Sequence, residues 1–296
     1  MKNLDLTNLE NSDIKYKISK FPDGQQAITI DLENTAFETG EQVVTIKSRL
    51  NSFLDLELII CANQALIELG TKHHSLKLKE IALYIPWLLG SRSDRKFLPG
   101  QSNYLKTVIC PIINSQNFSR VTVLDPHSDV SEACLNNFTK ISNVKFVKDV
   151  INTLDSKITL ISPDAGALKK IYDVSKAIEC NNIIVANKLR DMASGKIIRT
   201  EVPGIDNEVT FTGESKSKTF VIIDDIGDGF GTFIGIAKAI RDIRPKNIFN
   251  DKIYLVVTHS IQELGIKKAL EHFDKIYTTN SVSDFNIENL NVINVF

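Results

Sequence analysis

The chain has 296 residues, of which 43% are hydrophobic and 24% are charged, as in an ordinary globular protein. Its 35 basic and 36 acidic residues leave a net charge of −1, which predicts neither nucleic-acid binding nor attraction to an anionic membrane. The four cysteines are dispersed and form no CxxC pair, which argues against zinc and favours a reducing compartment. Without a signal-peptide pattern or an apolar run of about 20 residues, we expect a soluble cytoplasmic protein.

Six short apolar runs, rich in β-branched residues and followed by loop residues, predict the strands of a buried parallel sheet. These runs span residues 81–85, 121–124, 158–161, 183–186, 220–223 and 253–257. Helical patterns lie between them, for example over residues 54–69 and 233–243. The alternation predicts an α/β fold built from βαβ units. The length suits two domains, which we place at residues 1–146 and 147–296.

The most informative segment is VIIDDIGDGFGT, residues 221–232, which leaves the carboxyl end of a predicted strand. Ligands of open α/β sheets bind beyond such strand ends. Closely spaced glycines before a helix let several N–H groups turn inward and hold a phosphate. Asp224 and Asp225 suit ribose hydroxyls, bound directly or through Mg²⁺. The alternative interpretation is a tight strand-to-helix turn with solvated aspartates.

This segment resembles the phosphoribosyl pyrophosphate loop of type I phosphoribosyltransferases and ribose-phosphate pyrophosphokinases. That loop has two acids, two apolar residues and then D-T-x-G-T. The matching residues are Asp224, Asp225, Asp228, Gly231 and Thr232. The chain departs at Gly227, where the family has an apolar residue, and at Gly229 and Phe230, where it has threonine and a small residue.

Other segments, in the same order along the chain, resemble motifs of the pyrophosphokinases. The segment from Phe21 to Gln25 resembles F-S-D-G-E, and the segment from Ser91 to Lys96 resembles A-R-Q-D-R-K. Further similarities lie at residues 56–60, 125–127, 162–166, 188–190, 258–259 and 279–281. Simple phosphoribosyltransferases lack the N-terminal set, so the pattern as a whole favours the pyrophosphokinases.

The resemblance implies two similar phosphoribosyltransferase-type domains, each a mainly parallel sheet flanked by helices. It also implies transfer of the β,γ-diphosphoryl group of ATP to the 1-hydroxyl of a 5-phosphorylated ribose, with Mg²⁺ as cofactor. A homo-oligomer, either a dimer or a hexamer, is implied as well. The residues implied for ATP are Phe21, Asp23, Gln25, Arg92, Asp94, Arg95 and His127. Those implied for the ribose phosphate are Asp224, Asp225, Asp228, Gly229, Phe230, Gly231 and Thr232. His127 and Asp164 are implied for Mg²⁺, and Lys188 and Arg190 for catalysis.

Two departures in the loop leave the acceptor open. Gly229 lacks a hydroxyl that would bind a 5-phosphate, and Phe230 introduces a ring that we expect beside the cradle, where it could stack on a base. Ribose 5-phosphate and ADP-ribose are therefore both hypotheses, and divergent pyrophosphokinase-like enzymes of phage use ADP-ribose. The alternatives are a phosphoribosyltransferase that consumes a 1-diphosphate and a non-catalytic regulatory subunit of the same fold.

Overall fold

The computed structural model describes residues 1–37, 40–72, 77–154, 157–190, 197–205 and 217–296. The chain forms two compact units, a first unit of residues 1–141 with Phe296 and a second unit of residues 142–295. Each is a parallel sheet with helices, which confirms the predicted α/β class. Within the described ranges, none of the helices combines the length and apolarity needed to cross a membrane.

The first unit is built on a parallel sheet in the order β1-β4-β5-β6-β7. These strands are β1 (Lys2–Asp5), β4 (Glu41–Lys47), β5 (Lys77–Tyr84), β6 (Val121–Leu124) and β7 (Phe138–Ile141). An antiparallel hairpin of β2 (Tyr16–Lys20) and β3 (Gln26–Ile30) lies between β1 and β4 in the chain. The sheet packs by its apolar side chains, such as Ile46, Leu83 and Val123, all fully buried.

Helix α1 (Phe53–Lys72) covers this sheet and contains the helix predicted over residues 54–69. Its buried residues include Leu56, Ile59 and Leu66, which recur at helical spacing and so form one apolar face. A π-helical segment, Leu105–Ile109, continues into α2 (Cys110–Ser115), and α3 (Val130–Cys134) precedes β7.

The second unit has a six-stranded parallel sheet in the order β15-β14-β13-β12-β8-β9. Its strands are β8 (Ile158–Ser162), β9 (Ile183–Val185), β12 (Thr219–Gly227), β13 (Lys252–Ser260), β14 (Lys275–Thr279) and β15 (Leu290–Ile293). Strands β10 (Asn187–Arg190) and β11 (Ile197–Glu201) form a separate antiparallel pair. The helices are α4 (Val144–Ile151), α5 (Leu168–Ala177), α6 (Gly231–Ile243) and α7 (Glu263–Leu270).

All six apolar runs fall on strands of the two sheets, β5, β6, β8, β9, β12 and β13, with Ile85 and Ala186 one residue beyond the ends of β5 and β9. Strand β12 is central, with β8 on one side and β13 on the other. Because all pairs are parallel, the loops after these strands leave the same edge of the sheet. The glycine-rich loop after β12 therefore leaves the middle of that edge.

A buried ion pair precedes β13 in the second unit. Arg244 and Asp251 are 1% and 3% exposed, and Arg244 Nε and Nη2 donate to the Asp251 carboxylate at 2.6 and 3.0 Å. The guanidinium also lies 3.9 Å from the ring centroid of Phe249. Two parallel hydrogen bonds and an aromatic face together give this charge the partners that a buried arginine requires.

Candidate functional site

The loop after β12 leads directly into the first turn of α6. The residue before that helix, Phe230, has left-handed backbone angles (φ 60°, ψ 1°) and no side-chain oxygen with which to cap the helix. The first N–H groups of a helix have no acceptor within the helix. At the start of α6 they are therefore directed toward the loop, as an anion cradle requires.

The side chain of Phe230 turns away from this cradle. It is 2% exposed and meets Phe233 edge to face, with ring centroids 5.8 Å apart. A Cβ built on Gly227 would lie 2.5 Å from its Cζ, and one on Gly265 would lie 2.9 Å from its Cδ2. The expectation that this ring lies beside the cradle and stacks on a base is therefore wrong, and Phe230 can serve a ligand only through its backbone.

The packing shows that the departures from the family loop at Gly227 and Phe230 compensate each other in side-chain size. In the family pattern, the position of Gly227 has an apolar residue and the position of Phe230 has a small one. This chain instead has the small residue at 227 and the large one at 230. The ring of Phe230 fills the volume beside Gly227, so the core is filled from the other position.

The backbone at Gly229 and Gly231 is open by contrast. A Cβ added to either glycine meets nothing within 4 Å. Gly229 is exposed, while Asp228 and Thr232 are half-buried. Asp228 accepts a hydrogen bond from Gln262 Nε2 at 2.8 Å, which ties the loop to the residue before α7. The predicted cradle therefore has open space above its glycines.

The two acids at the end of β12 have different surroundings. Asp225 is 6% exposed, and its Oδ2 lies 3.0 Å from Lys170 Nζ. Its N–H donates to Asp224 Oδ1 at 2.9 Å. Burial raises the pKa of Asp224 well above its usual range, and the negative charges of Asp225 and then Asp164 raise it further. The structure thus brings these three predicted acids into one electrostatic environment.

Asp164 also shapes the turn that leads into α5. Its Oδ1 accepts the N–H groups of Gly166 and Ala167 at 3.0 and 3.1 Å. Its carbonyl accepts the Ser162 hydroxyl at 2.7 Å. The carboxylate is therefore held in place next to the carboxyl end of β8.

The acidic environment suits Mg²⁺ that is shared with phosphates. Magnesium is commonly held by one or two carboxylates together with substrate phosphates and water. In the described ranges, no group of three or more His, Cys, Asp or Glu side chains is arranged to hold a metal by itself. Asp164, Asp224 and Asp225 supply the right donor atoms for a shared ion. His127, the other predicted ligand, belongs to the first unit.

In the first unit, the predicted adenine loop is the turn of the β2–β3 hairpin. The Phe21 N–H donates to the Gln25 carbonyl at 2.8 Å, and Gly24 has a φ of 98°. The Asp23 carboxylate accepts the Gln25 N–H at 3.1 Å. Phe21 is 51% exposed, so its ring is not a core residue and can meet a ligand.

The predicted phosphate-binding loop 91–96 is organised by Asp94. The side chain is 3% exposed, and its two oxygens accept Arg95 Nε and Nη2 at 2.7 and 2.9 Å. The Ser128 hydroxyl donates to the same carboxylate at 2.6 Å. The hydrogen bond from Arg95 is the largest cause that lowers the Asp94 pKa to about 2, with contributions from Ser128 and the nearby His127.

These contacts separate the roles of the predicted ATP residues. Asp94 is enclosed by protein groups and positions Arg95, so it is not itself exposed for contact with ATP. The Arg95 side chain is 57% exposed, and Arg92 and His127 are also exposed. The structure thus brings Arg95 and the 125–128 loop together through one carboxylate.

The predicted catalytic residues Lys188 and Arg190 are part of strand β10, which pairs with β11. The register shifts between Leu189 and Arg190. The side chains of Lys188 and Arg190 lie outside the described residues, so their role stays a prediction.

The similarity of this chain to known proteins agrees with the motifs. No family model matches it. Over 259 residues it is 24% identical to the ribose-phosphate pyrophosphokinase of Saccharolobus solfataricus. The aligned region covers 81% of this chain and 83% of that one. It is 25% identical over 291 residues to that of Thermosipho africanus, covering 94% and 85%. The chain is thus similar to ribose-phosphate pyrophosphokinases over most of its length.

The fold is also that of this family. The phosphoribosylpyrophosphate synthetase from Mycobacterium smegmatis superposes with a TM-score of 0.71 at 17% identity, covering 97% of this chain and 88% of that one. The ribose-phosphate pyrophosphokinase of Pyrococcus abyssi is 25% identical over 274 residues, or 91% of this chain and 85% of that one. The match thus extends over both units, as the order of the motifs predicts.

Two features of this pyrophosphokinase relative were missed in the sequence. Lys170 contacts Asp225 across 55 residues of chain, and the sequence offers it only as one of two lysines, with Lys169, in the first turn of the helix after β8. The other feature is a buried set of hydroxyl groups at the ends of β13 and β14, within segments that matched family patterns without an assigned role.

These hydroxyl groups bond to one another and to the backbone beside the loop. His259 Nδ1 lies 2.8 Å from the Ser281 hydroxyl, and the Ser260 and Thr278 hydroxyls are 2.8 Å apart. Thr279 donates to the Thr258 carbonyl at 2.7 Å. In the sheet register His259 and Ser260 lie opposite Ile226 and Gly227, so this network adjoins the start of the loop.

Proposed function

We propose that this protein transfers the β,γ-diphosphoryl group of Mg·ATP to the anomeric 1-hydroxyl of a 5-phosphorylated ribose and releases AMP. The observation that carries the proposal is the loop after β12. It combines two carboxylates at the end of a central parallel strand with an open, glycine-lined helix N-terminus. The relatives named ribose-phosphate pyrophosphokinase support the same reaction.

The second unit would hold the sugar phosphate. Asp224 and Asp225 accept hydrogen bonds from the ribose hydroxyls, and the N–H groups from Gly229 to Thr232 bind the 5-phosphate. A helix N-terminus favours such an anion through its unsatisfied N–H groups and its dipole. In this interpretation residues 147–296 form the ribose-phosphate domain.

The first unit, within residues 1–146, would bind ATP. The exposed ring of Phe21 offers a stacking surface for the adenine, and Asp23 and Gln25 offer polar groups beside it. Arg92 and Arg95 bind the triphosphate, since planar guanidinium groups bind phosphate oxygens with paired hydrogen bonds. Asp94 holds Arg95 in the required orientation.

The transfer then needs positioning and charge neutralisation more than acid–base catalysis. The 1-hydroxyl oxygen bonds to the β-phosphorus as the bond from that phosphorus to the α,β-bridging oxygen breaks; AMP leaves and the hydroxyl proton is released to solvent. Lys188 and Arg190 stabilise the charge on the transferred group. When bound, Mg²⁺ would supply further neutralisation; Asp164 would contribute a ligand in the second unit, and His127 stays a proposed ligand in the first.

Two acceptors fit this scheme, and different observations favour them. The names of the relatives favour ribose 5-phosphate. The missing side chain at Gly229, with nothing within 4 Å of an added Cβ, favours a 5-substituent that continues beyond the phosphate, as in ADP-ribose. The buried ring of Phe230 adds nothing to the second case, so the argument for ADP-ribose rests on Gly229 alone.

The test is AMP formation from Mg·ATP with each acceptor in parallel. AMP with ribose 5-phosphate or with ADP-ribose supports the reaction and identifies the acceptor. Lys188→Ala and Arg190→Ala should each abolish most of this AMP, with the exposed Lys176→Ala as a control that should not. No AMP from the wild type with either acceptor refutes the proposal and favours a regulatory subunit.

A variant at Gly229 tests the choice of acceptor. Gly229→Thr adds a hydroxyl where the structure has open space, so it should fold normally and shift the ratio of the two activities toward ribose 5-phosphate. An unchanged ratio would contradict the role of Gly229. We further propose a homo-oligomer, a dimer or hexamer, which light scattering of the purified protein measures directly.

A further inference from the structure

Lys170 stands at an unusual place for a lysine. It lies in the first turn of α5, which begins at Leu168, where the helix dipole disfavours a positive charge. Its side chain is only 23% exposed, although lysine is among the residues that folding most often leaves in water. Helix stability therefore does not account for a cation at this position.

The contact made by this lysine explains its placement. Its Nζ lies 3.0 Å from Oδ2 of Asp225, whose side chain is 9% exposed. Helix α5 follows β8, and β8 pairs in parallel with β12, so the start of α5 lies beside the end of β12. Lys170, in the helix after β8, thus contacts an acid near the end of the neighbouring strand β12.

The ion pair gives the two adjacent acids, Asp224 and Asp225, different surroundings. Three carboxylates, Asp164, Asp224 and Asp225, share one environment at this edge of the sheet, and like charges there repel one another. Lys170 offsets one of these charges and fixes the Asp225 carboxylate, while the Asp225 N–H holds Asp224 Oδ1 at 2.9 Å. The lysine therefore holds the Asp225 carboxylate, while the backbone of Asp225 holds Asp224.

We propose that Lys170 is a positioning residue of the acceptor site, which holds Asp225 so that the acid pair is ready to bind the ribose hydroxyls. This inference rests on the proposed function for its ligand but not for its geometry. If the pair were purely structural, replacing Lys170 would change stability but would not selectively weaken the binding of one substrate.

The experiment compares Lys170→Met, Lys170→Arg and the control Lys176→Met, an exposed lysine on the same helix. In Lys170→Met we expect the affinity for the acceptor that the wild type uses to fall about tenfold, as for loss of a charge-assisted contact, and the KM for ATP to stay within about twofold. Lys170→Arg should restore most of the affinity, and Lys176→Met should match the wild type.

Amide hydrogen exchange of residues 224–232 without ligand gives a second readout, independent of activity. We expect faster exchange in Lys170→Met and wild-type rates in the other two variants, because only the first removes the contact between the lysine and Asp225. Unchanged exchange in Lys170→Met overturns the inference, whether or not the wild type forms AMP. Equal losses of affinity for ATP and acceptor would also overturn it.

A folding defect in Lys170→Met is separated from the positioning effect by Lys170→Met/Asp225→Asn. This double variant also removes the buried Asp225 charge that has lost its contact with Lys170, so its thermal stability should recover. Its affinity for the acceptor is not informative, because Asp225→Asn also removes a carboxylate proposed to bind the ribose. If its stability recovers, the folding defect of Lys170→Met comes from the Asp225 charge that has lost its lysine. If its stability does not recover, the ion-pair account of Lys170 is overturned. If the wild type forms no AMP but loop exchange responds as expected, the proposed function fails while the positioning of Asp225 stands.

Discussion

The exchange of sizes between Gly227 and Phe230 makes a quantitative prediction. A side chain at position 227 would begin 2.5 to 3.0 Å from three ring atoms of Phe230. Gly227→Ile alone should therefore cost about 1–3 kcal/mol of unfolding free energy through overpacking. Phe230→Ala alone removes a ring that is 2% exposed and should cost about 3–5 kcal/mol through the cavity it leaves.

The two changes should not be additive. In Gly227→Ile/Phe230→Ala the new side chain enters the volume that the ring has left, as in the family pattern. We expect the double variant to be more stable than the sum of the single effects by about 2–3 kcal/mol, the upper part of the range for residues in contact.

The measurement is urea denaturation of the wild type, both single variants and the double variant, which gives the coupling free energy from a double-mutant cycle. As a control, Phe230→Ala is combined with Ile113→Val in the core of the first unit, and that pair should be additive within about 0.5 kcal/mol. If the effects of the Gly227 and Phe230 changes add within about 0.5 kcal/mol, the explanation that these two residues compensate each other in size is refuted.

Three further predictions concern charged groups. The folded-state pKa of Asp224 is raised, so its ionisation destabilises the fold as pH rises through that pKa; Asp224→Asn should raise the Tm at about pH 8 without Mg²⁺ and change it little near pH 3. Asp94 has a folded pKa of about 2, so it stabilises the fold above the ordinary carboxyl pKa and loses this as pH falls toward 2. Asp94→Asn should therefore cost about 1–2 kcal/mol at pH 7, a value reduced by the exposure of Arg95, and urea titrations at pH 7 and 2 should show the difference disappear. Arg244→Met leaves Asp251 buried and unpaired, so it should cost about 3–5 kcal/mol in the same assay, and Arg244→Met/Asp251→Leu should recover most of this; an equally unstable double variant would contradict the charge argument.

The sequence was sufficient for six of the eleven strands in the two parallel sheets and for the place of the loop, but not for β1, β4, β7, β14 and β15. Buried parallel strands need uninterrupted apolar runs, and the run at 220–223 lies inside β12 with the Asp224 and Asp225 pair at its end. Turn chemistry also has a local signal, as in the Gly24 turn of the hairpin. These features depend on residues close together in the chain, which is why pattern reasoning finds them.

The contacts that set side-chain roles depend on residues far apart in the chain. The burial of Phe230 follows from the space beside Gly265, 35 residues later, and the Lys170–Asp225 pair joins two different helix–strand connections. Asp94 resembles an ATP residue in its motif, yet its carboxylate is enclosed by Arg95 and by Ser128 of another loop. Local sequence patterns contain no information on such packing.

The buried hydroxyl network beside the loop has a consequence for the energetics of ion binding. Its groups, among them Ser260, Thr278 and Thr279, are fully buried and their dipoles are fixed by one another and by the backbone. Water molecules in the same place would have to reorient each time a highly charged ligand arrived or its charge was redistributed. Dipoles that are already oriented avoid most of this reorganisation energy. The dipoles beside the start of the loop are therefore oriented by folding and need not reorient around a charged ligand.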